Sequence, residues 1–269
     1  MKMKFAIKKT PLIISILFLL ATSCSLEKSK TPKLEFKTTK FSDQVHLFDN
    51  DNYPSCDVDL RILTPKDTAY YDQLRSKILQ LYFDTLYHPN AQLDDLLFKT
   101  AQKFFADFKK QQEFLMEEDT IDLGFSLNWQ VIIQNDIVYQ DDHFISYMNE
   151  EYVYAGGAHG NTNRSYFVYD LERDKLLTAS DLFKPEKCKD LIALQKQSLE
   201  KMSEDMSVFW IENLKCDNNF YLVENGIVLH YDPYEIASYA AGPINIFISF
   251  EDINAFLQQP QLFKDLMKE

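Results

Sequence analysis

One histidine stands among small residues in YAGGAHGN. His159 is flanked by Gly156, Gly157 and Gly160, three of only six glycines in 269 residues. Downstream, HYDPYE gathers His230, Asp232 and Glu235 within six positions. A glycine loop can cradle phosphate with its N–H groups, imidazole and carboxylate can ligate a metal, and a base beside a nucleophile can move protons. The phosphate reading requires GxGxxG between a parallel strand and a helix. Here the glycines lead into NTNRSYFVYD, which reads as a strand, and no Walker lysine follows. The metal reading requires the two loops to meet, and no CxxC or Cys/His zinc spacing supports it, so neither metal nor cofactor is expected. No G-x-S-x-G elbow supplies a nucleophile. A structural turn fits the pattern best: Gly156 and Gly157 reach positive φ without a Cβ penalty, Gly160 keeps the loop slim, and His159 donates a hydrogen bond that holds it.

The elements that must position these loops follow from periodicity. Phe36 to Thr64 favours two strands around the turn-rich DNDNYPS, and in CDVDLRI the apolar Cys56, Val58, Leu60 and Ile62 alternate with Asp57, Asp59 and Arg61. DTAYYDQLRSKILQLYF predicts a helix capped by Asp67 or Thr68, with Tyr70, Leu74, Ile78, Leu81 and Tyr82 at spacings of three and four. NAQLDDLLFKTAQKFFADFKKQQEFL predicts a second, capped by Asn90, with its phenylalanines 98, 104, 105 and 108 taken as core. Beyond Asp122 the period falls to two. Phe125 to Ile133 reads as a strand, Asn135-Asp136 as a turn into IVYQ, and FISYM and EYVYA as further strands. YFVYD and KLLTA flank a short turn, and a helix begins near Pro185. In YLVENGIVLHY, Asn225-Gly226 is a type I′ hairpin signal. INIFISF is a last strand before a short helix. This order predicts an α+β fold: a mainly antiparallel sheet, two helices inserted after the first strands, and short helices near the C-terminus.

Composition adds an address. Lys2, Lys4, Lys8 and Lys9 precede the apolar run Leu12–Leu20, too short to span a bilayer ~30 Å thick as a mature helix, and small residues then lead to Cys24. Residues 1–23 are expected to be a lipoprotein signal peptide, with Cys24 acylated, residues 24–35 a tether, residues 36–118 a strand-helix-helix module and residues 119–269 a C-terminal α+β module. Ser25 lacks the acidic inner-membrane retention signal, which favours the outer membrane. Removing residues 1–23 leaves 24 basic against 41 acidic side chains, near −17 from −13, a field that disfavours nucleic acid and suits cationic partners. Of the remaining cysteines, Cys188 and Cys216 are the better disulfide candidates, because Cys56 falls on the apolar side of a strand.

GGAHG, the following YFVYDLERDKLL and DLF, and the later HYDPYEIASYAAG before an alternating strand, together resemble a bacterial envelope family of unknown function. It forms the extracytoplasmic part of RsiV-type anti-sigma factors, which are lysozyme receptors, and the non-catalytic part of PdaC-type peptidoglycan deacetylases. The motifs lie between Asp119 and the end, while residues 36–118 match in layout only. The chain departs from the pattern in carrying Glu172-Arg173-Asp174 where the family places a glycine. It also shows no cytoplasmic sigma-binding segment, so that role is not carried over. What the resemblance implies is a non-enzymatic binding module for a cationic lysozyme-like protein or a peptidoglycan fragment. The candidate contacts are His159, Asn161, Asn163, Tyr231, Asp232, Tyr234, Glu235 and Tyr239; the pattern places the tyrosines 231, 234 and 239 on exposed loops, and the alternative for each is that it plugs the sheet edge as core. The alternative is a cell-wall glycan hydrolase or deacetylase using the His159 and Asp232/Glu235 loops.

Overall fold

The computed structural model describes residues 33–117, 127–217, 219–264 and 266. The signal peptide, Cys24 and the expected strand start at Phe125 lie outside them. In chain order the elements are β1 (Phe36–His46), β2 (Ser55–Pro65), α1 (Asp72–Phe83), α2 (Leu93–Glu117), β3 (Trp129–Gln140), β4 (Phe144–Ala155), β5 (Asn161–Asp170) and β6 (Lys175–Leu177). There follow the single-turn α3 (Ala179–Leu182), α4 (Cys188–Met202), β7 (Asn219–Val223), β8 (Gly226–Tyr231), β9 (Ile244–Ser249) and the single-turn α5 (Phe250–Ile253). The fold is α+β. β1 to β6 form one six-stranded sheet in sequence order and β7 to β9 a three-stranded one, every pairing antiparallel except the parallel β2–β3. The α1–α2 excursion supplies the long crossover that a parallel pair requires. It also places residues 36–65 and 129–177 in the same sheet.

Strand alternation separates the two faces of the large sheet. Cys56, Val58, Leu60 and Ile62 of β2, with Trp129, Val131 and Ile133 of β3, are buried against Leu79 and Phe83 of α1 and Leu96, Leu97, Ala101, Phe105 and Phe108 of α2. Each such large side chain contributes roughly 1.5–3 kcal/mol by leaving water. Among the described residues Cys56 is the free, buried thiol, pushed up to about 12 by burial and then by the Asp57 carboxylate, which makes it unreactive. A second core joins the end of the opposite face, at Phe144 and Val168, to the small sheet and the C-terminal helices through Leu222, Ile227, Leu229, Tyr231, Ile246 and Phe250. Cys188 and Cys216 form a disulfide that ties the start of α4 to the segment before β7.

Several expectations need correction. Asn135-Asp136 is not a turn: β3 continues to Gln140, and Asn135 Nδ2 donates to Asn149 Oδ1 across the ladder at 2.8 Å. The reversal comes at Asp141, whose Oδ1 accepts from the backbone N–H groups of His143 and Phe144. β4 is one strand rather than two. The hairpin loop is Glu224-Asn225, one residue early, with Asn225 at φ 66°. Gly226 has another reason to be glycine, because a Cβ there would lie 2.5 Å from the Ile248 carbonyl oxygen. α1 starts at Asp72, and Asp67 instead closes a preceding turn by accepting from Ala69 and Tyr70 N–H. Phe98, taken as core, is 49% exposed, its ring edge-on to Phe41. The fold also begins inside the expected tether: Leu34 is buried, its carbonyl accepts from Gln140 Nε2, and Glu35 pairs with Lys66 at 2.8 Å.

Candidate functional site

The glycine loop joins β4 to β5 at the end of the sheet where β2 and β3 begin. Gly156 and Gly157 sit at φ 87° and 91°, left-handed backbone that only glycine adopts without strain. The Tyr154 hydroxyl donates to the Gly157 carbonyl at 3.0 Å. Exposed His159 donates from Nδ1 to the Gly160 carbonyl at 3.0 Å and stacks on Tyr239, ring centroids 4.0 Å apart and 17° from parallel. Tyr239 reaches back with its hydroxyl to the same Gly160 carbonyl at 3.0 Å. Gly160 faces the Tyr152 ring, and a Cβ would stand 2.4 Å from it. The motif therefore works twice: its first two glycines turn the chain, and its third leaves room for an aromatic ring.

The HYDPYE loop meets β5 from the other side. Both Asp232 carboxylate oxygens accept the Arg164 backbone N–H, at 3.0 and 3.1 Å, and Oδ1 also receives His230 Nε2 at 3.1 Å. Nearby, Asn219 donates to the Arg164 carbonyl and accepts from the Tyr166 N–H, at 2.6 and 2.8 Å. Beyond its short pairing with β6, the outer edge of β5 has no strand partner among the described residues, and an unprotected edge invites another strand. Asp232 and Asn219 take the place of that strand, clamping the two sheets together. His230 is 1% exposed, fixed between Asp232 and Asn245 Oδ1, the latter at 2.7 Å, with its ring edge-on to Tyr166. Tyr166 stacks on Tyr221 at 4.3 Å, and burial, above all, holds its hydroxyl up at about 12. Glu235 Oε2 caps the Asp232 N–H at 2.7 Å, and Oε1 meets Lys215 Nζ at 3.3 Å.

The two loops that the sequence singles out therefore do come together, through Tyr239 on His159 and Gly160. Tyr234 completes an aromatic group: it is 57% exposed, held at φ 71°, and its ring lies 5.6 Å from Tyr239. Asn161 donates to Asn163 Oδ1 at 3.0 Å on the exposed start of β5. Tyr231 is the exception among the candidates. It is fully buried in β8, its hydroxyl donating to Gln195 Oε1 at 2.6 Å, so it is a core residue and not a contact. No hydrogen bond joins His159 to Asp232 or Glu235 among the described residues, where no cluster of three His, Cys, Asp or Glu side chains is arranged to hold a metal.

Residues that sequence reasoning missed lie on the sheet beside these loops. Arg164 pairs with Glu150 at 2.5 Å, side chains 28% and 17% exposed, and Gln134 Nε2 donates to Glu150 Oε1 at 2.8 Å. The signal was present in the strand alternation, since Glu150, Tyr152 and Tyr154 occupy every second position of β4, but nothing in one sequence says which face stays uncovered.

Comparison with known proteins gives the following. A family model described as "Deacetylase PdaC" matches residues 49–162, and one described as "Protein of unknown function (DUF3298)" matches residues 180–251. The first extends the similarity into residues 49–118, where the sequence offers layout but no motif, and it contains the GGAHG loop. The chain is similar to the peptidoglycan-N-acetylmuramic acid deacetylase PdaC of Bacillus subtilis, 26% identical over 199 residues. That alignment covers 67% of this chain and 37% of the relative, so the chain spans little more than a third of that protein's length. A solved DUF3298 family structure from Bacteroides fragilis superposes with a TM-score of 0.77 at 20% identity, covering 88% of this chain and 98% of that one. Another, from Pseudomonas aeruginosa PAO1, gives a TM-score of 0.54 at 19% identity, covering 84% and 96%. At these identities the two structures establish a shared fold.

Proposed function

This chain belongs to the DUF3298/PdaC-type family, and from that premise we propose that it is a non-catalytic binding module of the cell envelope, held to the outer membrane by acylated Cys24. Its contact surface is the paired loops bearing His159, Asn161 and Asn163 on one side and Asp232, Tyr234, Glu235 and Tyr239 on the other. The leading partner is a cationic lysozyme-like muramidase, for which a processed chain of 24 basic against 41 acidic side chains, near −17, has the right sign. One observation carries the reading: the side chains that could act in catalysis are committed to backbone groups, His159 to Gly160, Asp232 to Arg164 and Glu235 to Asp232. What remains outward is aromatic surface at Tyr234 and the His159–Tyr239 stack, the residue type that dominates binding hot spots.

Titration of a basic lysozyme into the purified protein tests this. Saturable binding at low salt should weaken as ionic strength rises, and Tyr234→Ala with Tyr239→Ala should weaken it about tenfold or more. Absence of binding at low salt, or indifference to the tyrosine pair, would reject the partner. The second reading, a glycan hydrolase or deacetylase acting through His159 and Asp232/Glu235, has one observation in its favour, the deacetylase relative. Turnover of wall fragments separates it from the first.

A further inference from the structure

The face of the large sheet opposite α1 and α2 carries a patterned surface that the loops do not account for. The register places three rows across it. Gln44, Asp57, Gln130 and Tyr154 form one, Ser42, Asp59, Ile132, Tyr152 and Thr162 the next. Lys40 and Arg61 on one side, with Gln134, Glu150 and Arg164 on the other, form the third. All lie on the opposite side of their strands from the buried Val58, Leu60, Val131 and Ile133. The small sheet packs farther down, where Ser146 Oγ of β4 accepts the Leu222 N–H.

Three properties of these rows point the same way. Their charges balance: Lys40, Arg61 and Arg164 against Asp57, Asp59 and Glu150, on a chain whose acids exceed its bases by 13. Most are already neutralised in place. Arg61 grips Asp59 through two hydrogen bonds and Arg164 meets Glu150, while Asp57 is held by a hydrogen bond from Gln44 Nε2 at 2.6 Å. The rings are fixed: Tyr152 lies over the bare Cα of Gly160 and Tyr154 is tethered to Gly157. Finally, strands repeat every ~4.8 Å, about the repeat of pyranose rings in a linear polysaccharide, so successive strands can address successive sugars. Locally neutral surface, pinned tyrosines and planar amide, carboxylate and guanidinium groups recognise a ligand with many hydroxyls and flat apolar ring faces but no net charge.

We propose that this face binds an uncharged glycan chain laid across the strands, with Tyr152 and Tyr154, two residues apart on β4, forming one stacking platform for the ring over that strand, and Asp59, Gln130, Gln134 and Arg164 meeting hydroxyl and amide groups of the rings over β2, β3 and β5. The proposal deepens the reading of the chain as an envelope binding module and is separable from the protein partner. Calorimetric titration with the β-1,4 tetramer of N-acetylglucosamine, beside its de-N-acetylated cationic form and an anionic oligogalacturonate, tests it. The uncharged tetramer should bind saturably and best. Tyr154→Ala should weaken it about tenfold, Gln130→Ala about threefold with unchanged melting, and Tyr234→Ala should leave it unaltered. No saturable binding of the uncharged tetramer, preference for either charged one, or a loss caused by Tyr234→Ala and not by Gln130→Ala overturns the proposal. Sugar binding absent while lysozyme binding persists sinks this inference alone, and the reverse sinks the protein-partner reading alone.

Discussion

The two faces of the six-stranded sheet are made from alternate residues of the same strands, yet they obey different rules. On the helix side, Cys56, Val58, Leu60, Ile62, Val131 and Ile133 are buried and interchangeable in kind, because close packing asks only for apolar volume. On the other side, Asp57, Asp59, Arg61, Gln134, Glu150 and Arg164 are half-buried polar groups held in specific pairs. The first face needs only burial. The second needs partners for every polar group it half-buries, so its geometry is fixed by hydrogen bonds and remains available to a ligand.

The comparison breaks first at the core. Leu60→Ala should cost about 2–5 kcal/mol, whereas Gln130→Ala on the opposite face should stay within about 0.5 kcal/mol; thermal melting of the pair measures the contrast. A smaller effect is expected at the loop that borders the open face. Gly157→Val, with nothing within 4 Å of its new Cβ, should still cost about 1–3 kcal/mol through left-handed backbone strain alone. Gly160→Ala should cost about 1 kcal/mol or less, by turning aside the Tyr152 ring. Equal losses at the two positions would mean that the loop, not the ring, governs both. The smallest effect is expected at Glu151, a carboxylate on the helix-side parity of β4, opposite Ile133. Burial raises its pKa, so the native state holds the proton more tightly than the unfolded chain. Stability is lost as pH rises from the ordinary carboxylate value through the raised one. Glu151→Gln should therefore raise the melting temperature slightly at neutral pH, above the whole carboxylate range, and leave it unchanged below about pH 4, where the carboxyl is protonated in both states.

Much of the architecture was legible because period two writes it directly. CDVDLRI announces β2 and its buried side, and INIFISF announces β9. What misled was local chemistry read without its neighbours. Asn135-Asp136 has turn composition, but Asn149 stands opposite and the amide ladder keeps the strand extended. Phe98 has helical spacing, but the buried stripe of α2 runs through Leu97, Ala101, Phe105 and Phe108 and leaves it outside. Tyr231 sits beside loop residues in sequence, yet β8 is buried along its whole length. In GGAHG the left-handed backbone at Gly156 and Gly157 is the kind of conformation that adjacent glycines announce, while the clearance that Gly160 gives Tyr152 depends on a diagonal contact between strands, which no single stretch reveals. The same holds for Asp232 and Asn219, whose work as a substitute edge strand requires two sheets to meet.

On the proposed reading the His159 and Asp232/Glu235 loops bind rather than react. The direct measurement is prolonged incubation of the purified protein with muropeptides, following acetate release and new reducing ends, in wild type and in His159→Ala. No turnover above buffer in either is the predicted result. Turnover by the wild type that disappears in His159→Ala, with the variant still folded, would contradict it.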